Sequence, residues 1–373
     1  MLSRTFDPAF FYMLKDAIDL TRVKRALVIK LRHHGDVLLS SPVFSVLKNH
    51  GPHIEIDALV YHDTREMITL HPAVSEVFTI DRNWKKLGLL GQARAEWGLL
   101  QALKGRGYQL IVVLNDHNRA AAIVRYLKPL WSVAPDLPWH GRFFRKSFTH
   151  LHARVPGNTR HTVAAHLDAL RRLGVHPSSD EQQLSLVAGM AVEHRVCTLL
   201  QEAGLGNRPF ILVHPGSRWF FKCWPVERMA ALLNQLIARG EHIVLTGAPA
   251  REEAEMIAAI RQQLTQPVTD FSGKLSLKEL AALISRARLF VGVDSVPMHM
   301  AAAMQTPAVA LFGPTLDKVW GPWQSPHRLV MEDMPCRPCD RRGCGGSERS
   351  DCIEQVEVGR VLASIDDMLR ETA

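Results

Sequence analysis

Short apolar runs alternate with amphipathic segments along the chain, and this alternation limits the fold more than any other sequence feature. Residues 25–31 and 109–114 are nearly continuous apolar runs of strand length, as is typical of strands buried on both faces of a parallel sheet. Segments with apolar residues at helical spacing separate the strands. Repeated strand–helix–strand units form right-handed crossovers and parallel sheets, so we expect an α/β fold.

The predicted elements form two series. Strands are predicted at residues 25–31, 54–60, 77–80, 109–114, 209–213, 242–245, 268–271, 289–293 and 308–312. Helices are predicted near residues 42–49, from Asp63, and at 92–104, 162–173, 226–239, 251–264, 277–286, 297–304 and 356–370. The pattern has no clear period between residues 135 and 160, and a Pro–Ser–Ser–Asp turn occupies 177–180. We therefore expect two doubly wound, Rossmann-like domains, 1–178 and 179–373.

Composition narrows the possible classes of protein. The 373 residues are 47% hydrophobic and 22% charged, which supplies a core and excludes global disorder. Lys plus Arg exceeds Asp plus Glu by 45 − 37 = 8, which favours a polyanionic partner: nucleic acid, a phospholipid surface or a phosphorylated substrate. No apolar run reaches the roughly 18–20 residues of a membrane-spanning helix, and charges interrupt the first 24 residues. We expect a soluble, intracellular protein.

An amphipathic helix is predicted at residues 8–22. Phe10, Phe11, Leu14 and Ile18 lie at helical spacing on one face. This face could pack on its own domain, or it could lie on a membrane surface. The segment is short and not especially basic, which favours packing on the domain.

Polar residues follow the predicted strands, where ligands bind in doubly wound sheets. In the first half, Gly35 and Asp36 come after the first strand, and Asp36 could cap the next helix or act as a general base. A second polar cluster, 115–119, follows the strand at 109–114. Both clusters are expected at the same edge of the first sheet.

Four strand ends in the second half carry small or polar residues. They are His214-Pro215-Gly216-Ser217-Arg218 with Lys222 nearby, Thr246-Gly247, Asp294-Ser295 with His299 one turn later, and Gly313-Pro314-Thr315. Ordinary loop chemistry could explain any one of them. Together they suggest a nucleoside-diphosphate site, in which open backbone N–H groups and a lysine bind phosphate. Neither GxGxxG nor GxxxxGK[ST] is present.

Four of the six cysteines lie close together in sequence: Cys336, Cys339, Cys344 and Cys352. Four thiolates at this spacing could hold a structural zinc ion, and a reducing cytoplasm makes a disulfide the weaker alternative. Free thiols are the other interpretation. With either interpretation, we expect this loop to lie away from the catalytic site.

The order of these motifs resembles that of the bacterial lipopolysaccharide heptosyltransferases. The resemblance rests on Gly35-Asp36-Val37, the 214–217 turn with Lys222 and Trp224-Pro225, Thr246-Gly247, Gly292-Val293-Asp294-Ser295 with His299, and 311–315. It extends over nearly the whole chain. Residues 27–42 are most similar to the type that adds a branching third heptose.

The resemblance implies a GT-B glycosyltransferase, with two Rossmann-like domains facing a cleft. It would move heptose, with inversion, from ADP-L-glycero-D-manno-heptose to the lipid A-linked inner core of lipopolysaccharide. The donor would bind mainly the C-terminal domain and the acceptor the N-terminal domain. The protein would work in the cytoplasm, peripherally on the inner membrane, without nucleic acid, metal or cofactor at the transfer site.

The resemblance also assigns residues. Asp36 falls on the general base, and Lys222 falls on the basic residue beside the donor diphosphate; these two are the catalytic candidates. The donor-binding candidates are Ser217, Lys222, Thr246, Gly247, Glu252, Asp294, Ser295, Val296 and His299. Val296 stands where the family often has glycine, and Glu252 follows Arg251, which occupies the usual acidic position.

Two other functions stay open at this point. The chain could be a GT-B transferase of another sugar nucleotide, since single residues reveal neither adenine nor heptose. It could also be a non-catalytic relic that binds glycolipid. The presence of both Asp36 and Lys222 argues against the relic.

Overall fold

A computed structural model describes residues 16–153 and 159–372. The first half of the described chain contains one six-stranded sheet. Its strands are β1 (Arg25–Lys30), β2 (Glu55–Tyr61), β3 (Glu76–Ile80), β4 (Leu110–Val113), β5 (Trp131–Asp136) and β6 (His150–Ala153). They lie in the order β3-β2-β1-β4-β5-β6, and every neighbouring pair is parallel.

The second half contains another parallel six-stranded sheet. Its strands are β7 (Ile211–His214), β8 (Ile243–Leu245), β9 (Thr269–Asp270), β10 (Leu289–Val293), β11 (Ala308–Leu311) and β12 (His327–Val330). The order is β12-β11-β10-β7-β8-β9. The central strands are buried along their length, as their apolar sequences predict. The predicted α/β class with two doubly wound units is confirmed.

Helices connect the strands. They are α1 (His34–Leu38), α2 (Ser41–His50), α3 (Gly88–Arg106), α4 (Asn118–Leu127), α5 (Arg142–Arg145), α6 (Thr162–Arg171), α7 (Met190–Glu202), α8 (Val226–Ala238), α9 (Arg251–Gln262), α10 (Leu277–Ile284), α11 (Val296–Ala303), α12 (Asp317–Trp320), α13 (Asp351–Glu354) and α14 (Val358–Glu371). Short 3₁₀ helices include His62–Met67, Arg82–Leu87 and Phe220–Lys222. The α/β alternation places the carboxyl ends of both sets of strands beside helix starts.

Several elements differ from the sequence-based prediction. The segment from Asp63 forms only the 3₁₀ helix His62–Met67. Strands β5, β6 and β12 and helices α4 and α7 were not predicted. Strand β6 has the sequence HLHA, and β5 contains Pro135, so neither has the apolar run of a central strand. Both lie at one side of the first sheet, and β12 lies at the edge of the second.

Most of the predicted N-terminal helix at 8–22 lies outside the described residues. Within the described part, only Leu20–Arg22 forms a 3₁₀ turn. The Ile18 N–H donates to the Leu173 carbonyl at 3.1 Å, and the Ile18 side chain packs against the core. Asp16 forms an ion pair with Arg172 at 2.6 Å. The segment from Asp16 to Arg22 therefore packs on its own half of the protein.

The segments around the proposed domain boundary pack in two directions. Helix α6 packs against β4, β5 and β6 of the first sheet, whereas α7 packs against α10 of the second half. The C-terminal helix α14 packs on α8, β11 and β12. A boundary between 178 and 179, between α6 and α7, stays a prediction.

Candidate active site

The two halves meet where the helix after β1 contacts the helix after β10. Helix α1 packs against α11. A Cβ atom built on Gly35 would lie only 3.1 Å from Cδ2 of the His299 ring and 3.8 Å from Val296. A larger residue at position 35 would therefore press on α11. The absence of a side chain allows the two predicted half-sites to approach closely.

Asp36 is held by a charged partner from the preceding strand. Asp36 Oδ1 lies 3.4 Å from the ammonium of Lys30, whose side chain is only 6% exposed. Lys30 Nζ also donates to the Leu114 carbonyl at 3.1 Å and lies 2.9 Å from His166 Nε2. His166 Nδ1 lies 3.1 Å from the Leu39 carbonyl. Since a carbonyl only accepts, Nδ1 carries the proton of the neutral ring and Nε2 accepts from Lys30.

These side chains border a cavity of about 320 Å³ at the carboxyl edge of the first sheet. Polar and charged groups face it, among them Lys30, Arg32, Asp36, His152 and His166. Trp320, from the second half, also contributes to the wall. The predicted 115–119 cluster lies at this edge, with Asp116 paired to Arg32 at 2.7 Å. The cavity can accept a polar molecule beside the Asp36 carboxylate.

Lys222 lies at the opposite side of the cleft and is bound to Asp294. Its Nζ donates to Asp294 Oδ2 at 2.7 Å. The Thr315 hydroxyl donates to the same oxygen at 2.6 Å. The loops after β7, β10 and β11 therefore converge on one buried carboxylate. This network fixes the Lys222 ammonium beside the start of α11.

The start of α11 has buried polar atoms without partners among the described residues. Ser295 Oγ and His299 Nδ1 are buried and have no hydrogen-bond partner. Ser295 precedes the helix without capping it through its side chain. Burial lowers the pKa of His299 to about 4, so the ring is neutral at physiological pH. A buried helix start with a free hydroxyl and a free imidazole nitrogen is suited to a ligand with hydrogen-bonding groups.

The acidic residue beside the glycine turns is Glu253, not Glu252. Glu252 lies at an exposed position of α9, whereas Glu253 is buried. Glu253 Oε2 accepts the Ala248 N–H at 2.8 Å, and a Cβ atom on Gly216 would lie 2.5 Å from the same oxygen. Burial raises the pKa of Glu253. Helix α9 thus turns Glu253, rather than the predicted Glu252, toward the β7 and β8 loops, and a ribose contact from either residue stays a prediction.

Thr246, Gly247 and Ser217 lie in the same group of loops. The Thr246 hydroxyl lies 3.0 Å from His214 Nδ1, and Ser217 Oγ donates to the Asp294 carbonyl at 3.4 Å. Burial lowers the pKa of His214 to about 4. A Cβ on Gly247 would overlap Ile257. Thr246 and Ser217 thus form part of the wall that holds the loops together.

Val296, the first residue of α11, is half-buried and faces Gly35. The structure therefore brings Ser217, Lys222, Thr246, Gly247, Asp294, Ser295, Val296 and His299 into one region, opposite Asp36. Lys30, His166 and Glu253 were not among the predicted site residues, whereas Thr315 belongs to a strand end that the sequence already indicated. The one sequence signal that could have indicated Lys30 is that its charge interrupts the apolar run of β1.

A direct bridge crosses the cleft near Asp36. Arg218 donates from Nη1 to His33 Nδ1 at 3.0 Å. Burial, followed by the charge of Arg218, lowers the pKa of His33, which keeps this nitrogen available as an acceptor. Further along, the Thr162 hydroxyl donates to the Val319 carbonyl at 3.1 Å. The two halves therefore contact each other on both sides of the cavity.

The cysteine-containing loop folds over the end of β11. The Cys339 N–H donates to the Pro314 carbonyl at 3.1 Å, and Arg342 stacks on Trp219 with its guanidinium carbon 4.4 Å from the ring centre. All six cysteines are free thiols. Burial, followed by the nearby thiols, raises the pKa of Cys352 to about 11. Across residues 16–153 and 159–372, no three His, Cys, Asp or Glu side chains are grouped to hold a metal ion, so the zinc alternative gains no support.

Comparison with known proteins identifies relatives of the whole chain. The family model described as glycosyltransferase family 9 (heptosyltransferase) matches residues 97–348. The chain is 37% identical over 350 residues to lipopolysaccharide heptosyltransferase 3 of Escherichia coli. That alignment covers 91% of this chain and 97% of the relative.

Solved structures share the fold. A family 9 glycosyl transferase from Veillonella parvula superposes with a TM-score of 0.81 at 22% identity, covering 95% of this chain and 99% of that one. The Escherichia coli ADP-heptose lipopolysaccharide heptosyltransferase II superposes with a TM-score of 0.74 at 21% identity, covering 94% and 100%. At these identities the likeness supports the fold alone.

Proposed function

Because the chain belongs to glycosyltransferase family 9, the heptosyltransferases, we propose that it transfers heptose from ADP-L-glycero-D-manno-heptose to the lipopolysaccharide inner core. The chain is a glycosyltransferase. The 37% identity to a lipopolysaccharide heptosyltransferase 3 over nearly its full length supports addition of the branching third heptose. The observation that carries the proposal is the contact of α1 with α11, which sets Asp36 against the Lys222 side of the cleft.

The acceptor would occupy the cavity beside Asp36. Asp36 accepts the proton of an acceptor hydroxyl, and the hydroxyl oxygen attacks the anomeric carbon of heptose on the face opposite the diphosphate. Lys30 holds the carboxylate through the 3.4 Å ion pair and is itself oriented by His166. The bond from the anomeric carbon to the diphosphate oxygen breaks as the new bond forms, which gives inversion.

The donor would lie along the start of α11. Negative charge builds up on ADP as it leaves, and the Lys222 ammonium and the helix N-terminus stabilise that charge. Ser295 Oγ and His299 Nδ1, which have no hydrogen-bond partner within residues 16–153 and 159–372, are polar atoms that the donor could use. Glu253, beside the Gly216 turn, is the acidic candidate for contact with the ribose.

The acceptor is anchored in lipid, so we place the enzyme on the cytoplasmic face of the inner membrane. None of the described helices is long and apolar enough to cross a bilayer. The net charge of +8 supports weak, reversible attraction to anionic lipid that weakens as salt increases. Ile18, a described residue of the predicted N-terminal apolar face, packs on its own domain.

Mass spectrometry of truncated lipopolysaccharide incubated with ADP-heptose tests the activity. We expect a product heavier by one heptose with the wild-type chain and none with Asp36→Asn. Parallel incubations with other sugar nucleotides test the alternative donor. Addition of a different sugar would overturn the heptose assignment, and no addition from any donor would favour the glycolipid-binding alternative.

A further inference from the structure

The start of α3 exposes an unusual group of large apolar side chains. Leu89 and Leu90 are 89% and 88% exposed, and Leu87 and Trp97 are also exposed. Helical spacing places Leu90 and Trp97 on the same side of α3, seven residues apart. The opposite side of the helix, including Leu103, packs into the core of the first half. Trp97 also contacts the Tyr126 ring edge-on, with the ring centres 5.9 Å apart. The four side chains therefore form an outward-facing apolar patch, in which Leu89 and Leu90 are almost fully exposed.

Positive charges surround this patch. Lys85, Lys86 and Arg94 are exposed within the same segment. Its acidic residue Glu96 is already paired with Arg119 at 2.7 Å. A second copy of the chain on this surface would bring like charges together, which disfavours self-association. Anionic phosphate groups above an apolar layer complement both the basic and the apolar parts of the segment.

The patch continues from the rim of the acceptor cavity. The 3₁₀ helix Arg82–Leu87 leads directly into α3. Arg82 donates to the carbonyl of Arg32, a cavity-lining residue, at 3.1 Å, and it stacks on the Tyr61 ring at 4.1 Å. A glycan anchored in a lipid surface under Leu89 and Leu90 would thus reach the cavity from the side where the patch lies.

We propose that residues 85–97 form a docking surface for an anionic bilayer. Leu89, Leu90 and Trp97 enter the interfacial layer, while Lys85, Lys86 and Arg94 lie at the lipid phosphates. This inference rests on the proposed function, because only a lipid-anchored acceptor requires the cavity to face a membrane. The proposal assigns the membrane contact to a folded surface in the first half of the protein.

Sedimentation of the full chain with vesicles of phosphatidylethanolamine and phosphatidylglycerol tests the surface. Leu89→Ser with Leu90→Ser should weaken binding at least about tenfold, because the two side chains then no longer remove apolar surface from water. Met190→Ser is the matched control, since Met190 is 88% exposed on α7. Lys85→Glu with Lys86→Glu should weaken binding at low salt more than at high salt.

Two further measurements separate this inference from the proposed function. Transfer to a soluble, lipid-free core oligosaccharide should be unchanged in the leucine variant, and sedimentation velocity should give the same mass as for the wild type. Wild-type binding that the leucine changes do not weaken would overturn the docking surface, as would a dimer that those changes dissociate. Failure of the wild type to transfer heptose, with the vesicle results as expected, would overturn only the proposed function.

Discussion

The carboxyl edges of the two sheets have the same architecture but different chemistry. At the edge of the first sheet, charged side chains contact one another around a cavity, as Lys30, Asp36 and His166 do. At the edge of the second sheet, glycine turns pack closely against Glu253 and Ile257. The charged Lys222–Asp294 pair lies beside the start of α11, where buried polar atoms have no partner among the described residues. In the mechanism we propose, the first edge holds and moves a proton. The second edge binds an anion.

This difference shows how one topology can divide a transfer reaction. A general base works best when its own neighbours fix it, whereas a leaving diphosphate needs donors that are free until the ligand arrives. The two requirements conflict within a single site. Two doubly wound halves that face each other across a cleft can satisfy both requirements.

The strongest test of this division is Asp36→Asn. We expect kcat to fall by about 10²–10⁴-fold, because the amide cannot accept the proton. Calorimetry with ADP should give nearly wild-type affinity, because Asp36 lies on the acceptor side. Asp366→Asn, which removes a carboxylate paired with Arg239 far from the cleft, is the control and should remain active. Turnover of the Asp36 variant above about one third of wild type would contradict the assignment.

Lys222→Ala tests the anion-binding edge. We expect kcat/KM to fall about 10²–10³-fold and ADP affinity to fall as well, because the ammonium acts on the diphosphate before and during its departure. Lys274→Ala, an exposed lysine of the same half that donates to the Asp270 carbonyl, should change neither quantity. Unchanged ADP affinity together with unchanged kcat would remove Lys222 from the site.

Lys30→Met tests whether Lys30 holds the Asp36 carboxylate in place at the edge of the first sheet. Because Lys30 acts through Asp36, we expect kcat to fall roughly tenfold or more while ADP affinity stays the same. Lys30→Arg should recover part of kcat, since it restores the positive charge. A variant that loses stability but keeps its kcat would make Lys30 a purely structural residue. Urea unfolding alongside the kinetics separates these outcomes.

Acid should destabilise both halves. Burial lowers the pKa of His71, His161, His214 and His299 to about 4, against an ordinary value of 6.5. Between these values the unfolded chain binds protons that the folded chain does not, so stability present above pH 6.5 is lost as the pH falls toward 4. Glu253, whose pKa burial raises, acts in the opposite direction, but it is one group against four. Urea unfolding at pH 7 and pH 5 should give a lower free energy of unfolding at pH 5, and equal values would contradict the prediction.

The apolar pattern of the sequence was sufficient to predict the central strands but not the strands at the sides of the sheets. Strands β1, β4, β7 and β10 are buried on both faces and have continuous apolar runs. Strand β6 lies at one edge of the first sheet, where polar residues are tolerated, so its HLHA sequence has no period to detect. Helix α7 was missed too, although it packs against α10.

The candidate site was predictable where a residue follows a strand directly. Asp294 was identified in this way, because it directly follows β10. Asp36 and Lys222 lie several residues after their strands and were assigned by the resemblance; the structure groups all three near the cleft. The position of Glu253 could not be predicted in this way, because it depends on the rotation of α9 about its axis. A shift of one residue along a helix turns the side chain by about 100° around that axis. The Lys30–His166 contact joins residues 136 positions apart, and no local pattern could have indicated that pair.

Gly35 determines how closely α1 can approach α11. Its missing side chain leaves α1 in contact with the His299 ring of α11. A methyl group at this position would act as a wedge and separate the proton acceptor from the departing diphosphate by a few tenths of an ångström or more. Transfer between two bound molecules depends steeply on their separation. In the proposed mechanism this glycine is therefore a spacer, which sets the gap across which the sugar must pass.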